Sequence, residues 1–273
     1  MDIDGTLLDS KSQLSAENAQ AIAEAASRGI EIVIVTGRRF HSARLIAEEL
    51  SCEVELIVSN GALVKSLSGE THLRTLLPAE TARRVLHATE AFRPMSGVIF
   101  DRPAANQVVF ERIDWDGPFI GPYLRRHRQQ VTEVNPLANC LNGEDPVEVM
   151  FIGEFASIRS AKETLENLQF RADYTLALTE YAERGFSMLD VLQRGVTKGA
   201  ALAEWSRRRG IPRESVMAIG DNWNDREMLE YAGLPVVMGN SIAELKSLGW
   251  ATTLSNDQSG VAEAIRRHVL RNE

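Results

Sequence analysis

Short apolar runs in this chain alternate with stretches in which apolar residues recur every three or four positions. Residues 30–35, Ile-Glu-Ile-Val-Ile-Val, are mostly β-branched and read as a buried strand. Before them, residues 15–28 read as a helix. Ala19, Ile22, Ala23 and Ala26 fall at helical spacing, Ser15 can cap the start, and Gly29 ends it. A helix over 42–50 and a strand over 56–58 follow. Near the other end, Thr197-Lys198-Gly199 opens a helix through Arg209, and 215–219 is again an apolar strand. A short strand (234–238), a further helix and an amphipathic helix (261–270) close the chain. Helices alternating with apolar strands predict βαβ units, hence an α/β fold with a parallel sheet.

From about residue 73 the pattern changes. A helix over 78–92 is followed by strand-like pieces at 97–100, 107–113 and 147–152, a helix at 156–168 and a strand at 174–178. Strands interrupted by few helices predict a separate α+β module. The chain is expected to return to the first module around 185–192. The predicted organisation is therefore a core of residues 1–77 and 185–273, with 78–184 inserted into it.

The polar residues of the core fall at strand ends: Asp2 and Asp4, Thr36, Asn60, then Asp221 and Asp225. Open parallel sheets bind ligands beyond these carboxyl ends. Taken singly, Thr36 is ordinary loop chemistry, Lys198 a solvated lysine and Gly220-Asp221 a turn; together at successive strand-to-helix junctions they are hard to explain as accident. Asp2 and Asp4 stand two residues apart and repel each other, so a cation or a shared proton is needed to hold them. The oxygen donors favour Mg²⁺, which takes a few carboxylates plus phosphate and water. Phosphoryl transfer needs positioning and charge neutralisation above all. Mg²⁺, Lys198 and the Thr36 hydroxyl would hold three phosphoryl oxygens. One carboxylate can form an acyl phosphate, while a second protonates the leaving alcohol and later takes a proton from water.

Composition narrows the classes. The chain has 273 residues, a net charge of −8 and a pI of about 5.3, which argues against a nucleic-acid binder. No apolar run is long enough to span a bilayer, and Met1 is followed by acidic residues where a signal peptide would be basic and then apolar. Cys52 and Cys140 form no CxxC pair and are expected to be free thiols of a cytoplasmic protein. The run Arg125-Arg126-His127-Arg128 is expected to be a solvated helix face. Trp115 and Tyr123 are left between stacking on a sugar or flavin-like ring and ordinary packing.

Asp2-Ile3-Asp4-Gly5-Thr6, Thr36-Gly37-Arg38, Lys198 and the run Gly220-Asp221-Asn222-Trp223-Asn224-Asp225 resemble the four motifs of the haloacid-dehalogenase superfamily of phosphatases. The closer likeness is to its Cof-type branch, to which Val58-Ser59-Asn60-Gly61-Ala62, Val237-Met238-Gly239-Asn240 and Ser259-Gly260-Val261 are also similar. The resemblance covers the first and last portions of the chain; the middle matches by position and length. It implies a Rossmann-like parallel-sheet core with an inserted α+β cap domain, and a Mg²⁺-dependent hydrolase of phosphoric monoesters. Asp2 resembles the nucleophile and a metal ligand. Asp4 resembles the general acid/base and lends its carbonyl to the metal. Asp221 resembles the third ligand, and Asp225 the residue that holds the metal shell and orients Lys198. Thr36, Gly37, Lys198 and Asn224 resemble the phosphate contacts.

The resemblance also implies a small phosphorylated metabolite as substrate, of sugar-phosphate, flavin-precursor or nucleotide-like kind, and a monomer or homodimer. Its rivals are a phosphomutase of the same superfamily and a non-catalytic relative that binds a phosphorylated metabolite. The family's first aspartate follows a buried central strand, whereas here Met1 stands where that strand's last residue would be. The expectation is that the true start lies upstream of Met1.

Overall fold

The computed structural model describes residues 1–103, 105–117, 121–126, 128–181 and 185–270. The chain divides into two compact units, Met1–Arg74 with Val196–Glu273, and Thr75–Gly195. The first unit begins with α1 (Ala16–Ser27), β1 (Val33–Val35), α2 (Phe40–Ala47), β2 (Glu55–Val58), β3 (Leu63–Ser66) and β4 (Thr71–Arg74). The inserted unit contains α3 (Ala79–Ala88), β5 (Ser96–Ile99), β6 (Val108–Phe110), α4 (Gly121–Arg126), β7 (Val131–Glu133), β8 (Glu148–Gly153), α5 (Phe155–Glu166), β9 (Tyr174–Tyr181) and β10 (Phe186–Gln193). The first unit then resumes with α6 (Lys198–Arg209), β11 (Met217–Gly220), α7 (Arg226–Tyr231), β12 (Leu234–Val237), α8 (Ala243–Lys246), β13 (Ala251–Thr252) and α9 (Gly260–His268).

In the first unit β1 pairs parallel with β2, which continues antiparallel into β3 and β4; β11, β12 and β13 form a second, all-parallel ladder. Met1 and Asp2 stand between these two sheets. The Met1 nitrogen donates to Val33 O at 2.8 Å, Met1 O accepts from Val35 N at 2.8 Å, and Asp2 N donates to Ile219 O at 3.0 Å. Alternate bonds of this kind are the parallel-ladder pattern. They hold Asp2 beside the carboxyl ends of β1 and β11. The core beneath is apolar, with Val35, Ile57, Leu202, Ala218, Met228 and Val237 in one cluster.

The inserted unit carries a six-stranded sheet in the order β7-β6-β5-β8-β10-β9, antiparallel throughout except for β6 with β7. Alternate residues of its strands, among them Val98, Val149, Phe151, Leu189 and Val191, share a core cluster with Val85 of α3 and Ile158 and Leu165 of α5. The return to the first unit comes later than residue 185. Residues 186–193 pair with β9 and 187–191 also with β8, so they belong to the inserted sheet, and the crossing falls at Gly195–Val196. The β3–β4 hairpin had no clear sequence signal, because its buried positions include Lys65, whose ammonium lies 5.3 Å from the centre of the Phe40 ring. Among the described residues no helix is long and apolar enough to cross a membrane. His127, and the side chains of Tyr123 and Arg126, fall outside the described part of the structure.

Helix α1 turns its face one residue from the expected one. Ser15 caps it, accepting from Asn18 N, but the buried set is Asn18, Ala21, Ile22 and Ala25. The reason is polar. Asn18 is 1% exposed, donates to Leu7 O at 3.1 Å and accepts from Ala262 N at 2.9 Å. It thereby fastens the loop after Asp4 to the start of α9. Asn18→Ala would leave two buried backbone groups unpaired, so we expect a loss of roughly 2–4 kcal/mol in urea unfolding. A loss below about 0.5 kcal/mol, the size of an ordinary surface change, would show that this bridge does not hold the loop.

Candidate active site

Asp2, Asp221, Asp225 and Lys198 meet at one place in the first unit. Lys198 is the first residue of α6, with Thr197 Oγ1 capping the helix by accepting from Ala200 N at 3.1 Å. Its stem is buried and its Nζ donates to Asp2 Oδ1 at 2.7 Å and to Asp225 Oδ1 at 2.6 Å. The other oxygen of Asp225 accepts from the backbone N–H groups of Asp221 and Asn222 at 3.0 and 3.1 Å. Asp225 is thus spent on orienting Lys198 and on shaping the loop after β11. Asp221 Oδ1 accepts from Thr6 Oγ1 at 2.7 Å, and its carbonyl accepts from Ser241 Oγ at 2.6 Å.

Gly5 explains the spacing of the opening motif. Its φ is +76°, and a Cβ there would lie 2.4 Å from Asp221 Oδ2. Only glycine tolerates both the turn and the approach. Gly37 is a second close approach: a Cβ would sit 3.1 Å from Asn60 Oδ1. Asn60 itself is in the left-handed region (φ 53°), which asparagine visits more readily than most residues, and its Oδ1 accepts from Asn224 Nδ2 at 3.2 Å. Thr36, buried at the end of β1, donates its N–H to Ile57 O and accepts Asn60 N at its carbonyl. Thr36, Gly37, Asn60 and Asn224 are therefore one connected rim.

The Asp4 carboxylate is not one of the three gathered around Lys198. It is held by Arg38, with Nε to Oδ2 at 2.7 Å and Nη2 to Oδ1 at 2.6 Å. Arg38 N donates to Thr36 Oγ1 at 3.1 Å. The sequence alone gives no role to Arg38, Thr6, Asn240 or Ser241, and sets Asn60 only among the polar strand ends. All five lie inside or beside the motifs quoted above, so position was their only signal; the pairing of Arg38 with Asp4 needs the fold to bring residues 34 apart together. Asn240 donates to Gly5 O at 2.8 Å and accepts from Asn256 N at 2.9 Å, which ties the opening loop to the end of β12. In the inserted unit, Arg125 and Arg128 are exposed, and the Arg128 guanidinium lies 5.1 Å from the centre of the Trp115 ring.

The electrostatics follow from burial. Asp2, Asp221 and Asp225 each offer an oxygen within 4.8 Å of the others, all three are buried, and Lys198 is the ammonium bonded to two of them. Burial pushes the Asp2 carboxyl up from 3.8 to about 7; Lys198 opposes this, and Asp225 and Asp4 add to it. Asp221 is raised well above the ordinary carboxylate range by burial and then by Asp225 and Asp2, against the Thr6 bond. Burial draws the Lys198 ammonium down, but Asp2 and Asp225 together raise it above its usual value. Hard oxygen donors crowded to the point of holding protons are a donor set that suits Mg²⁺, and Asp2 and Asp221 are the carboxylates with protons to surrender.

A carboxyl raised on folding stabilises the fold fully below its unfolded pKa and loses that contribution as pH climbs through its folded pKa. For Asp2 the window runs from about 4 to about 7, and the raised Asp221 carboxyl acts with the same sign. The chelated protein is therefore expected to lose thermal stability between pH 5 and pH 8, and Mg²⁺ to raise the melting temperature more at pH 8 than at pH 5. Calorimetric scans with and without the ion measure both. A melting temperature that is flat across this range and blind to Mg²⁺ would contradict the charge assignment.

Comparison with known proteins shows the family of the chain. A family model described as haloacid dehalogenase-like hydrolase matches residues 1–265. Phosphatase YwpJ of Bacillus subtilis (strain 168) is 30% identical, over 99% of this chain and 98% of the relative. The 5-amino-6-(5-phospho-D-ribitylamino)uracil phosphatase YcsE of the same organism is 32% identical, over 99% of this chain and 94% of its own length. The solved structure of a haloacid dehalogenase-like hydrolase from B. subtilis superposes with a TM-score of 0.82 at 26% identity, covering 98% of both chains. Matched along nearly its whole length, the chain belongs to the haloacid dehalogenase-like hydrolases and is a phosphatase of that family.

Proposed function

We propose that the chain is a Mg²⁺-dependent phosphatase that hydrolyses small phosphorylated metabolites through an aspartyl phosphate on Asp2. The observation that carries this reading is the buried Lys198 ammonium clamped between Asp2 and Asp225 beside a third carboxylate, Asp221. Such a cluster is expensive to bury and serves no packing purpose. Asp2 attacks phosphorus and the alcohol leaves. Water then cleaves the acyl phosphate. Asp4 gives a proton to the leaving alcohol and takes one from water. Lys198, the Thr36 hydroxyl, the Gly37 N–H and the Asn224 amide are assigned to the phosphoryl oxygens. Asp2 and Asp221, with the Asp4 carbonyl and Asp225 behind them, would hold Mg²⁺, which when bound neutralises charge on the transferring phosphoryl group.

The inserted unit is assigned the selection of the leaving group. The substrate is placed among sugar phosphates and phosphorylated flavin precursors. The relative named for 5-amino-6-(5-phospho-D-ribitylamino)uracil supports the second kind. Cys52 and Cys140 are free thiols, which suits a reducing cytoplasm.

The test is a screen of the purified protein against phosphorylated metabolites, following free phosphate, with Asp2→Asn in parallel. An amide is a poor nucleophile, so Asp2→Asn is expected to lower the rate on p-nitrophenyl phosphate by at least about a thousandfold, and chelation to abolish wild-type turnover. Near-normal rates in Asp2→Asn would rule out covalent catalysis by this residue. Phosphoryl transfer to a second sugar with no free phosphate would identify a mutase instead.

A further inference from the structure

We propose that Arg38 is a positioning residue for Asp4: its guanidinium fixes the carboxylate in the orientation from which it takes the proton of the attacking water. This rests on the phosphatase reading above. The two bonds, Nε to Oδ2 at 2.7 Å and Nη2 to Oδ1 at 2.6 Å, form a fork-to-fork pair. One bond would leave the carboxylate free to turn about its terminal torsion; two parallel bonds fix its plane. Each Asp4 oxygen keeps a further lone pair, and the fork decides where it points.

Arg38 is itself held at both backbone ends. Its N–H donates to Thr36 Oγ1 at 3.1 Å and its carbonyl accepts from Ser59 N at 2.9 Å. The Asp4 carboxylate is thereby referenced to the loop that carries Thr36 and Gly37, the assigned phosphate contacts. The two side chains are 25% and 23% exposed, so the pair is neither a fully solvated ion pair nor a sealed one. Lysine supplies the charge without the fork, so it is no equivalent here.

The step concerned is the hydrolytic half. A water oxygen attacks the phosphorus of the acyl phosphate and forms a new P–O bond. The P–O bond to Asp2 breaks, and its electron pair returns to the Asp2 carboxylate. The water proton passes to the free lone pair of an Asp4 oxygen, and inorganic phosphate leaves. A carboxylate mispointed by about 1 Å can lose about a hundredfold in rate.

The test is rapid-quench kinetics on Arg38→Ala, Arg38→Lys and Asp4→Asn with p-nitrophenyl phosphate, whose leaving group needs no proton. Asp4→Asn is expected to release a burst of p-nitrophenol and then stall with phosphate on the Asp2 peptide. Both Arg38 variants are expected to show the same burst, with a steady rate about tenfold to a hundredfold below wild type. A purely structural pairing would lower both phases together. If Asp4→Asn bursts and the Arg38 variants do not, Arg38 does not position Asp4 and the phosphatase reading stands. If no variant and no wild-type sample carries phosphate on the Asp2 peptide, the covalent reading itself fails. Arg38→Lys keeps the charge and guards against a fold lost in Arg38→Ala.

Discussion

One ammonium group joins the two chain segments of the first unit. Lys198 Nζ bonds Asp2, 196 residues away in sequence, and Asp225, 27 residues away, and both pairs are sealed from solvent. Surface pairs elsewhere, such as Arg28 with Glu24 or Arg44 with Glu48, have side chains about two-fifths exposed and each contributes at most about 1 kcal/mol. The buried set is of another kind. Taking Lys198, Asp2, Asp221 and Asp225 out of water costs several kcal/mol per ion, and one ammonium against three carboxylates leaves two negative charges if all are ionised. The raised Asp2 and Asp221 carboxyls are the direct result. Two excess negative charges of this kind are what a divalent cation would offset.

Everything around the cluster serves to hold it still. Asn222 and Asp225 cap the turn after β11 reciprocally, so the loop that carries Asp221 has its backbone N–H groups satisfied from within. Thr6, Ser241 and Asn240 bind the Asp221 and Gly5 loops from behind. Asn18 and Asn256 do the same one layer further out, each donating to a backbone carbonyl of the loop 7–8. Polar groups of this type stiffen a site because each leaves an unsatisfied partner if it moves. The consequence for function is positional: charges that would repel are kept within hydrogen-bonding reach of a common point.

Much of this was legible in the sequence, for a physical reason. Buried parallel strands must be apolar, so 30–35 and 215–219 stand out, and the polar residues that follow them can only lie at strand ends. That places Thr36 and Asp221 on one face of the sheet from the sequence alone. Asp2, with no strand of its own before it, and Lys198, at the start of a helix, join them through the motif resemblance. What failed was contextual. The face of α1 turned by one residue because a buried asparagine, Asn18, outranked an alanine stripe. The inserted unit ends at Gly195, since β10 is apolar enough to read as core strand yet finds its partners in β8 and β9. The Arg38–Asp4 fork is a tertiary pairing, and periodicity carries no information about which arginine meets which carboxylate.

The raised Asp2 and Asp221 carboxyls mean that a divalent cation binding among them would displace protons. Titration calorimetry of the wild-type protein with Mg²⁺, repeated in buffers of different ionisation enthalpy, measures the protons released per ion bound. Release is expected at pH 6, where Asp2 lies below its pKa of about 7, and should shrink as the pH rises above that value. Binding with no proton release at any pH, or no Mg²⁺ binding at all, would contradict it.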